Sequence, residues 1–406
     1  MKTTFPTLLN DTISIQNMKT KVAVFFGGRS TEHEISVISA NQAINAFNPD
    51  KYEIIPIYIS KEGRWYTGRD LLTIANYRNI PALLAKCTEV YMRPVFGDLN
   101  IYKVKRSMFG SDVLTTIDLA VPVLHGTNME DGKFEGLLET IGIPYAGCNT
   151  LASANGMDKI TMKMILRADN IPVVDYVWLT DRQWLNNRDK FIAKIEKELG
   201  YPVIVKPADL GSSIGIGAAH NADELITRLD NAAKFSQRLV VEHMVTNMRE
   251  INCSVLGDAD EFETSVLEEP IKADEILSYT DKYMAGGMHA AQKRIPAELP
   301  QDLTDECRRL AGETFRVLSC HGVSRVDLLI DADTNKVYVN EINTIPGSLS
   351  YYLWEAAGLS FEDLMDRLVK LALKRQRDVA KKTLTFNQNI FAMGGGVKGG
   401  VKGIKK

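Results

Sequence analysis

Asp327, Glu341 and Asn343 are three oxygen-bearing side chains set in two runs of Val, Leu, Ile and Tyr, Arg325–Asp331 and Lys336–Asn343. A polar connection between the runs predicts an antiparallel hairpin. Side chains alternate faces along a strand, so Arg325 and Asp327 share a face, as do Glu341 and Asn343. Closing the hairpin sets Asp327 opposite Glu341, within one residue of register. Two carboxylates and an amide oxygen beside an arginine suit Mg²⁺ carrying nucleotide phosphates. Taken alone, the segment also reads as a polar sheet end with a surface ion pair.

Lys206-Pro-Ala-Asp-Leu-Gly211-Ser212-Ser213-Ile-Gly215-Ile-Gly217 joins a strand-end lysine to a loop of small residues. Such a loop lets backbone N–H groups approach phosphate oxygens, and the lysine adds a point charge. A flexible hairpin turn is the competing reading. Lys159 is a second phosphate-lysine candidate, although in isolation it reads as a solvated helix lysine. Leu239–Met244 and Arg249–Val255 read as two strands with a short connection, whose backbone can bond an adenine while Glu242 and Glu250 accept from its amino group or from ribose hydroxyls. A surface acidic pair is the plainer alternative. Asp281-Lys282-Tyr283-Met-Ala-Gly286-Gly287 is a glycine-containing loop with the makings of a lid. None of the six histidines has metal-site spacing, which excludes a zinc hydrolase of the H-E-x-x-H type.

These residues need strands and helices to hold them. Lys21–Phe26, Tyr52–Ile59 and Asp118–Leu124 read as strands. Thr31 and Glu34 have capping-box spacing, predicting a helix from about Thr31 with Ile35, Val37 and Ile38 beginning its apolar stripe, and Glu32 in its first turn. Alternating strands and helices indicate an open α/β domain over residues 21–150, after a leading arm at 1–20. Its loops Gly27–Glu32 and His125–Gly132 fall at carboxyl ends of strands, where such sheets bind ligands. A smaller α+β unit follows over 151–238. The hairpin, together with helices at Leu303–Leu318 and Phe361–Lys374, fills 239–380. Residues 381–406 form a basic, glycine-rich tail that cannot bury a core.

The chain has 406 residues, roughly two or three domains' worth. A formal charge of −3 argues against nucleic-acid binding. The five cysteines (Cys87, Cys148, Cys253, Cys307, Cys320) are scattered and lack C-x-x-C spacing, which fits reduced thiols in a cytoplasm. No apolar run approaches the ~20 residues that span a bilayer.

In order along the chain, Phe26-Gly-Gly-Arg-Ser-Thr-Glu32-His-Glu-Ile-Ser36, His125-Gly-Thr-Asn-Met-Glu-Asp-Gly132, Gly142-Ile-Pro-Tyr-Ala-Gly147, Met157-Asp-Lys159, the Lys206 loop, Asp281-Lys-Tyr283, Arg325-Val-Asp327 and Glu341-Ile-Asn-Thr-Ile-Pro-Gly347 resemble the D-alanine–D-alanine ligases of the ATP-grasp superfamily. The resemblance implies a three-domain α/β ATP-grasp fold with ATP clasped between central and C-terminal domains. It implies that Lys159, Lys206 and Lys282 contact ATP phosphates or reacting groups, that Ser213 also serves ATP, that Glu242 and the backbone near Val245 hold the adenine, and that Glu250 holds the ribose. Asp327, Glu341 and Asn343 would bind two Mg²⁺ ions, with Mn²⁺ as a substitute. Glu32, Ser212 and Tyr283 match a trio that positions the first D-amino acid, and Arg325 with the N–H of Gly347 would stabilise an oxyanion. His125, Lys282, Tyr352 and Leu353 would meet the substrates. The implied reaction joins two D-alanines through an acyl phosphate for peptidoglycan precursors, in a homodimer.

Tyr352 departs from the family pattern, standing where a Ser-Leu pair usually holds the second substrate's carboxylate. A ligase with another acceptor (D-Ser, another amino acid or a peptide) is therefore the alternative. A non-catalytic nucleotide-binding scaffold is a third reading, disfavoured by the full set of metal and phosphate residues.

Overall fold

The computed structural model describes residues 19–105, 110–211, 213–271 and 293–386. Ser212, Lys282, Tyr283, the lid segment Asp281–Gly287, most of the leading arm and the Gly/Lys-rich tail from 387 lie outside the described residues.

Strand β1 (Thr20–Gly27) carries the apolar run of Lys21–Phe26 and is the buried heart of the first sheet. It pairs in parallel with β2 (Tyr52–Ile59) and, on its other side, with β7 (Leu119–Val123). The helix His33–Ala46 supplies the crossover that a parallel β1–β2 pair requires. Beyond β2 the sheet departs from the expected alternation. The strands β3 (Trp65–Thr67), β4 (Thr88–Tyr91), β5 (Asn100–Lys103) and β6 (Val113–Thr116) extend it as an antiparallel meander, in the order β6-β5-β4-β3-β2-β1-β7. The link from β2 to β3 is too short to house a crossover helix.

The first helix also differs from expectation. Glu32, not Thr31, is its N-cap and makes no side-chain cap bond, while Glu34 turns outward to Lys61. His33 fixes the first turn instead, bonding the Gly28 carbonyl at 2.7 Å and the Tyr58 hydroxyl at 3.0 Å. That anchor rotates the buried face onto His33, Ser36, Val37, Ala40 and Ile44 and leaves Ile38 exposed.

The second sheet is antiparallel, with β8 (Tyr176–Thr180), β9 (Val203–Pro207), β10 (Gly217–Ala219) and β11 (Arg238–His243) ordered β10-β9-β11-β8. The third comprises β12 (Met248–Gly257), β13 (Phe262–Pro270), β14 (Lys293–Arg294), β15 (Gly322–Asp331) and β16 (Lys336–Asn343), ordered β14-β13-β12-β15-β16. Strands β11 and β12 thus belong to different sheets, and the short segment between them crosses from one to the other.

Period-two alternation gives the third sheet two unlike faces. Ile251, Cys253, Val326, Leu328, Val337 and Val339 pack in one core with Leu310 and Phe315 of the helix Gln301–Val317. On the opposite face, register aligns Glu268, Asn252, Asp327 and Glu341 in one polar row across four strands. The last described helix, Phe361–Ala380, closes back on the first domain: Leu364, Met365, Leu368 and Ala372 share a core with Val22, Ala40, Ile44 and Tyr52. Two polar contacts reinforce it, Asn48–Glu362 at 2.7 Å and Lys51–Asp366 at 2.6 Å.

Candidate active site

The hairpin contains a bulge that sets its chemistry. Pairing runs regularly from Asp331↔Lys336 to Leu328↔Val339, then resumes at Asp327↔Glu341 and Arg325↔Asn343, leaving Asn340 as the extra residue. An unbulged ladder would put Asn340, not Glu341, opposite Asp327. Arg325 grips Asp327 with two parallel bonds of 2.6 and 2.8 Å, and the Asn343 amide donates to the same carboxylate at 3.1 Å. Burial pushes the Asp327 carboxyl up; Arg325 opposes this, while Glu341 and Glu250 add repulsion. A divalent cation relieves that excess of negative charge, and the donors are the hard oxygens it prefers. Among the described residues no three His, Cys, Asp or Glu side chains form a ready metal-ligand group. Asp327, Glu341 and Asn343 would supply part of such a cation's ligand set, phosphate and water oxygens the rest.

Two lysines bind this sheet to its neighbours. Lys159 opens the helix Lys159–Ala168, whose cap is Asp158 accepting from the Thr161 N–H at 2.7 Å. It is buried, unlike the solvated lysine of the plainer reading. Its ammonium donates to the Leu210 carbonyl at 2.8 Å and lies 3.3 Å from Glu341, so one cation touches both the glycine loop and the hairpin. Lys206, at the end of β9, donates to Glu242 at 2.7 Å and to the bulged Asn340 at 3.0 Å. Glu242 is almost fully buried and also faces Lys163 at 3.1 Å. Burial alone would raise the Glu242 carboxyl, but Lys163 and Lys206 outweigh it and hold it at about 2. Lys163 and Asn340 escaped the sequence reading, although Lys163 lies one helical turn beyond Lys159 on the same face. Val245 lies in the β11–β12 crossing, and Glu250 on the polar face of β12 two residues from Asn252.

Glu32 is wedged between two loops that both need glycine. A side chain on Gly126, which has φ +75°, would meet Ser30 Oγ at 2.4 Å and Glu32 Oε2 at 3.2 Å; one on Gly211 would meet Glu32 Oε1 at 2.8 Å. Glu32 is thus set against the glycine loop at Gly211, while Ser212 and Tyr283, the other two members of the expected trio, lie outside the described residues. Ser213 follows in the left-handed region (φ 59°). His125, expected to touch substrate, is buried between two elements. Its Nδ1 bonds the Ile345 carbonyl at 2.9 Å and its Nε2 meets Ser39 Oγ at 3.0 Å, so both nitrogens are spent. Burial holds its pKa down at about 4, keeping it neutral.

Glu130, in the same loop and not singled out from sequence, accepts from the N–H groups of Gly126 (3.1 Å) and Ile345 (2.9 Å). Burial, then the charge on Glu32, raises its carboxyl to about 8. A folded pKa above the unfolded one means stability present below about pH 4.5 and lost as pH rises through about 8. Thermal melts of the wild type should fall over that window, and Glu130→Gln should flatten the dependence. An unchanged slope in the variant would remove Glu130 as its source.

After Pro346 the chain makes an unusual turn. Ser348, Leu349 and Ser350 all have φ near +50°, a left-handed stretch that costs L-residues about 1–2 kcal/mol each. Ser39 Oγ accepting from the Ser348 N–H at 2.9 Å, the buried Leu349, and Trp354 Nε1 donating to Ser254 at 2.9 Å hold it. The turn presents Gly347, whose α-carbon faces open space. Tyr352 follows, and its hydroxyl proton is directed to Glu268 at 2.9 Å. Leu353, also expected at the substrate, turns its side chain fully into the core, because it follows the inward face of the short helix Tyr351–Ala356.

Two antiparallel sheets that trap lysines, carboxylates and a glycine loop between them define an ATP-grasp ligase. Residues 21–148 match the family described as D-ala D-ala ligase N-terminus, and residues 165–370 that described as D-ala D-ala ligase C-terminus. The chain is 40% identical over 380 residues to a D-alanine–D-alanine ligase of Caldicellulosiruptor bescii, covering 91% of this chain and 99% of that protein. Among solved structures it is similar to the D-alanine–D-alanine ligase of Coxiella burnetii (TM-score 0.75, 31% identity, 89% and 96% of the two chains). It is also similar to the VanG D-Ala:D-Ser ligase of Enterococcus faecalis (TM-score 0.74, 30% identity, 87% and 99%). The chain belongs to the D-alanine–D-alanine ligase family.

Proposed function

We propose that the protein joins two D-alanines at the cost of ATP, supplying dipeptide for peptidoglycan precursors. The observation that carries this reading is Lys159, one buried cation in contact with both the glycine loop and Glu341. In the first step a carboxylate oxygen of D-alanine attacks the γ-phosphorus, and the bond to ADP breaks, leaving an acyl phosphate. In the second, the amine of the acceptor attacks the acyl carbon and phosphate leaves, with a proton lost from nitrogen. Lys159, Lys206 and Lys282, with Ser213, neutralise and orient the phosphates; Glu242 and the Val245 backbone take the adenine and Glu250 the ribose. Glu32, Ser212 and Tyr283 orient the first D-alanine, with Lys282 beside it. Arg325 and the Gly347 N–H stabilise charge on the acyl oxygen. Asp327, Glu341 and Asn343 would hold two Mg²⁺ ions, or Mn²⁺, which when bound neutralise charge on the transferring phosphoryl group.

The test is ADP release and dipeptide detection by mass spectrometry with D-alanine as sole amino acid. Turnover with dipeptide supports the reading; ATP hydrolysis only with another acceptor present favours the second reading, in which D-Ser, another amino acid or a peptide is the amine. The bonded Tyr352–Glu268 pair is what favours that alternative. Absence of any turnover would leave a nucleotide-binding scaffold. Among the described residues no helix is long and apolar enough to cross a membrane. We further infer a cytoplasmic homodimer, from its unpaired cysteines and by family analogy.

A further inference from the structure

We propose that Lys293 anchors the carboxylate of the acceptor, held in position by Glu268 and the ring of Tyr352. The assignment rests on the ligase reading above and names a residue outside the motifs that support it.

The polar row across the third sheet has two ends. Glu341, at one end, faces Lys159 and the glycine loop, where the nucleotide phosphates belong. Glu268, at the other, lies two strands beyond Asp327, on the far side of it from Glu341. A ligand at the Glu268 end is therefore the amino-acid side of the reaction. Glu268 itself cannot receive an ammonium group. It is 1% exposed, its Oε2 accepts from Tyr352 (2.9 Å) and Asn252 (3.1 Å), and its Oε1 lies 2.9 Å from Lys293. Tyr352 cannot donate to a carboxylate either, because its one hydroxyl proton points at Glu268.

Lys293 is what remains. Its ammonium sits 4.5 Å from the centre of the Tyr352 ring, so a carboxylate and an aromatic face hold it from two sides. Its side chain is 48% exposed, and an ammonium has three donors, of which one points to Glu268. The backbone beneath it is also fixed. Lys293–Arg294 pairs with Glu269–Pro270, Arg294 reaches Glu269 at 3.4 Å, and Arg249 grips Glu269 with bonds of 2.6 and 2.9 Å. A half-exposed cation on a paired edge strand is suited to a small anion, and the acceptor's carboxylate is the anion this end of the site would meet. In this arrangement an ammonium, with the Tyr352 ring as its platform, takes the place of a hydroxyl at position 352.

The experiment compares D-alanine with D-alaninamide as acceptor, with D-alanine as donor, since the amide lacks the carboxylate. Wild type should prefer D-alanine. Lys293→Met should raise the acceptor KM for D-alanine about 10- to 100-fold, the loss of one charge-assisted bond. The donor KM should stay near wild type, and the preference over the amide should collapse. Lys293→Arg should keep the preference. Lys293→Gln, which retains hydrogen bonding to Glu268, is the second variant and must give the same collapse. A wild-type preference persisting in both neutral variants overturns the assignment, as does a wild type indifferent to the amide. A wild type that makes no dipeptide with any acceptor overturns the ligase reading itself, a different result from either.

Discussion

Glu341→Ala is expected to cut ATP turnover by about a hundred- to a thousand-fold or more, the scale of removing one preorganised electrostatic contact at a transferring group. The Asn340 bulge turns this carboxylate onto the face shared by Asp327 and Asn343, 3.3 Å from Lys159. The flanking side chains are already committed: Asp327 is gripped by Arg325, and Asn340 is turned to Lys206. The variant would also leave buried Lys159 with one fewer partner. Phosphate release at saturating D-alanine, with a circular dichroism spectrum to check the fold, reads the effect. Rates near wild type would defeat the metal assignment, and with it the bulge argument.

Glu242→Ala should have the largest effect on stability. It strips the shared counter-ion from two lysines, one of them, Lys163, fully buried. Breaking a buried pair from one side typically costs about 3–5 kcal/mol. An exposed pair such as Lys61–Glu34 contributes only about 0–1 kcal/mol. The difference is desolvation: an exposed lysine regains water, and Lys163 cannot. The sign with pH follows from the depressed carboxyl. Its contribution is present above the ordinary value of 4.5 and lost as pH falls through about 2. Urea denaturation at pH 7 should show the full loss, and wild type and variant should converge in strong acid. A loss below about 1 kcal/mol at pH 7 would mean that Lys163 is neutral or hydrated when Glu242 is absent.

The legible parts of the molecule were those whose information is local. The β1 run and the β2 strand carry their periodicity in a few residues, so their bounds follow from sequence within one residue, as does the Asp327–Glu341 pairing, whereas β15 begins at Gly322, three residues before the run read from Arg325. The antiparallel edge of the first sheet was lost because β3 has three residues and β4 to β6 four each, too few to show a period. At the site, charge was legible and depletion was not. Sequence places Tyr352 and His125 beside a substrate, but nothing in it says that their polar atoms are already spent on Glu268, Ile345 and Ser39. Lys159 shows the reverse: it looks solvated until folding brings Leu210 and Glu341 to it.

The closing of the helix Phe361–Ala380 over the helix His33–Ala46 bears on how the chain is made. Synthesis runs from the amino end, and domains commonly fold as they emerge. Here the domain built on β1 emerges before both later sheets and keeps Val22, Ala40, Ile44 and Tyr52 waiting for Leu364, Met365 and Leu368, some three hundred residues further on. Its apolar flank stays uncovered through the translation of both ATP-binding sheets. A domain begun before the two sheets is therefore finished only after them, and a transcript truncated before residue 361 would yield a nucleotide clasp attached to an open core, a substrate for chaperones and proteases.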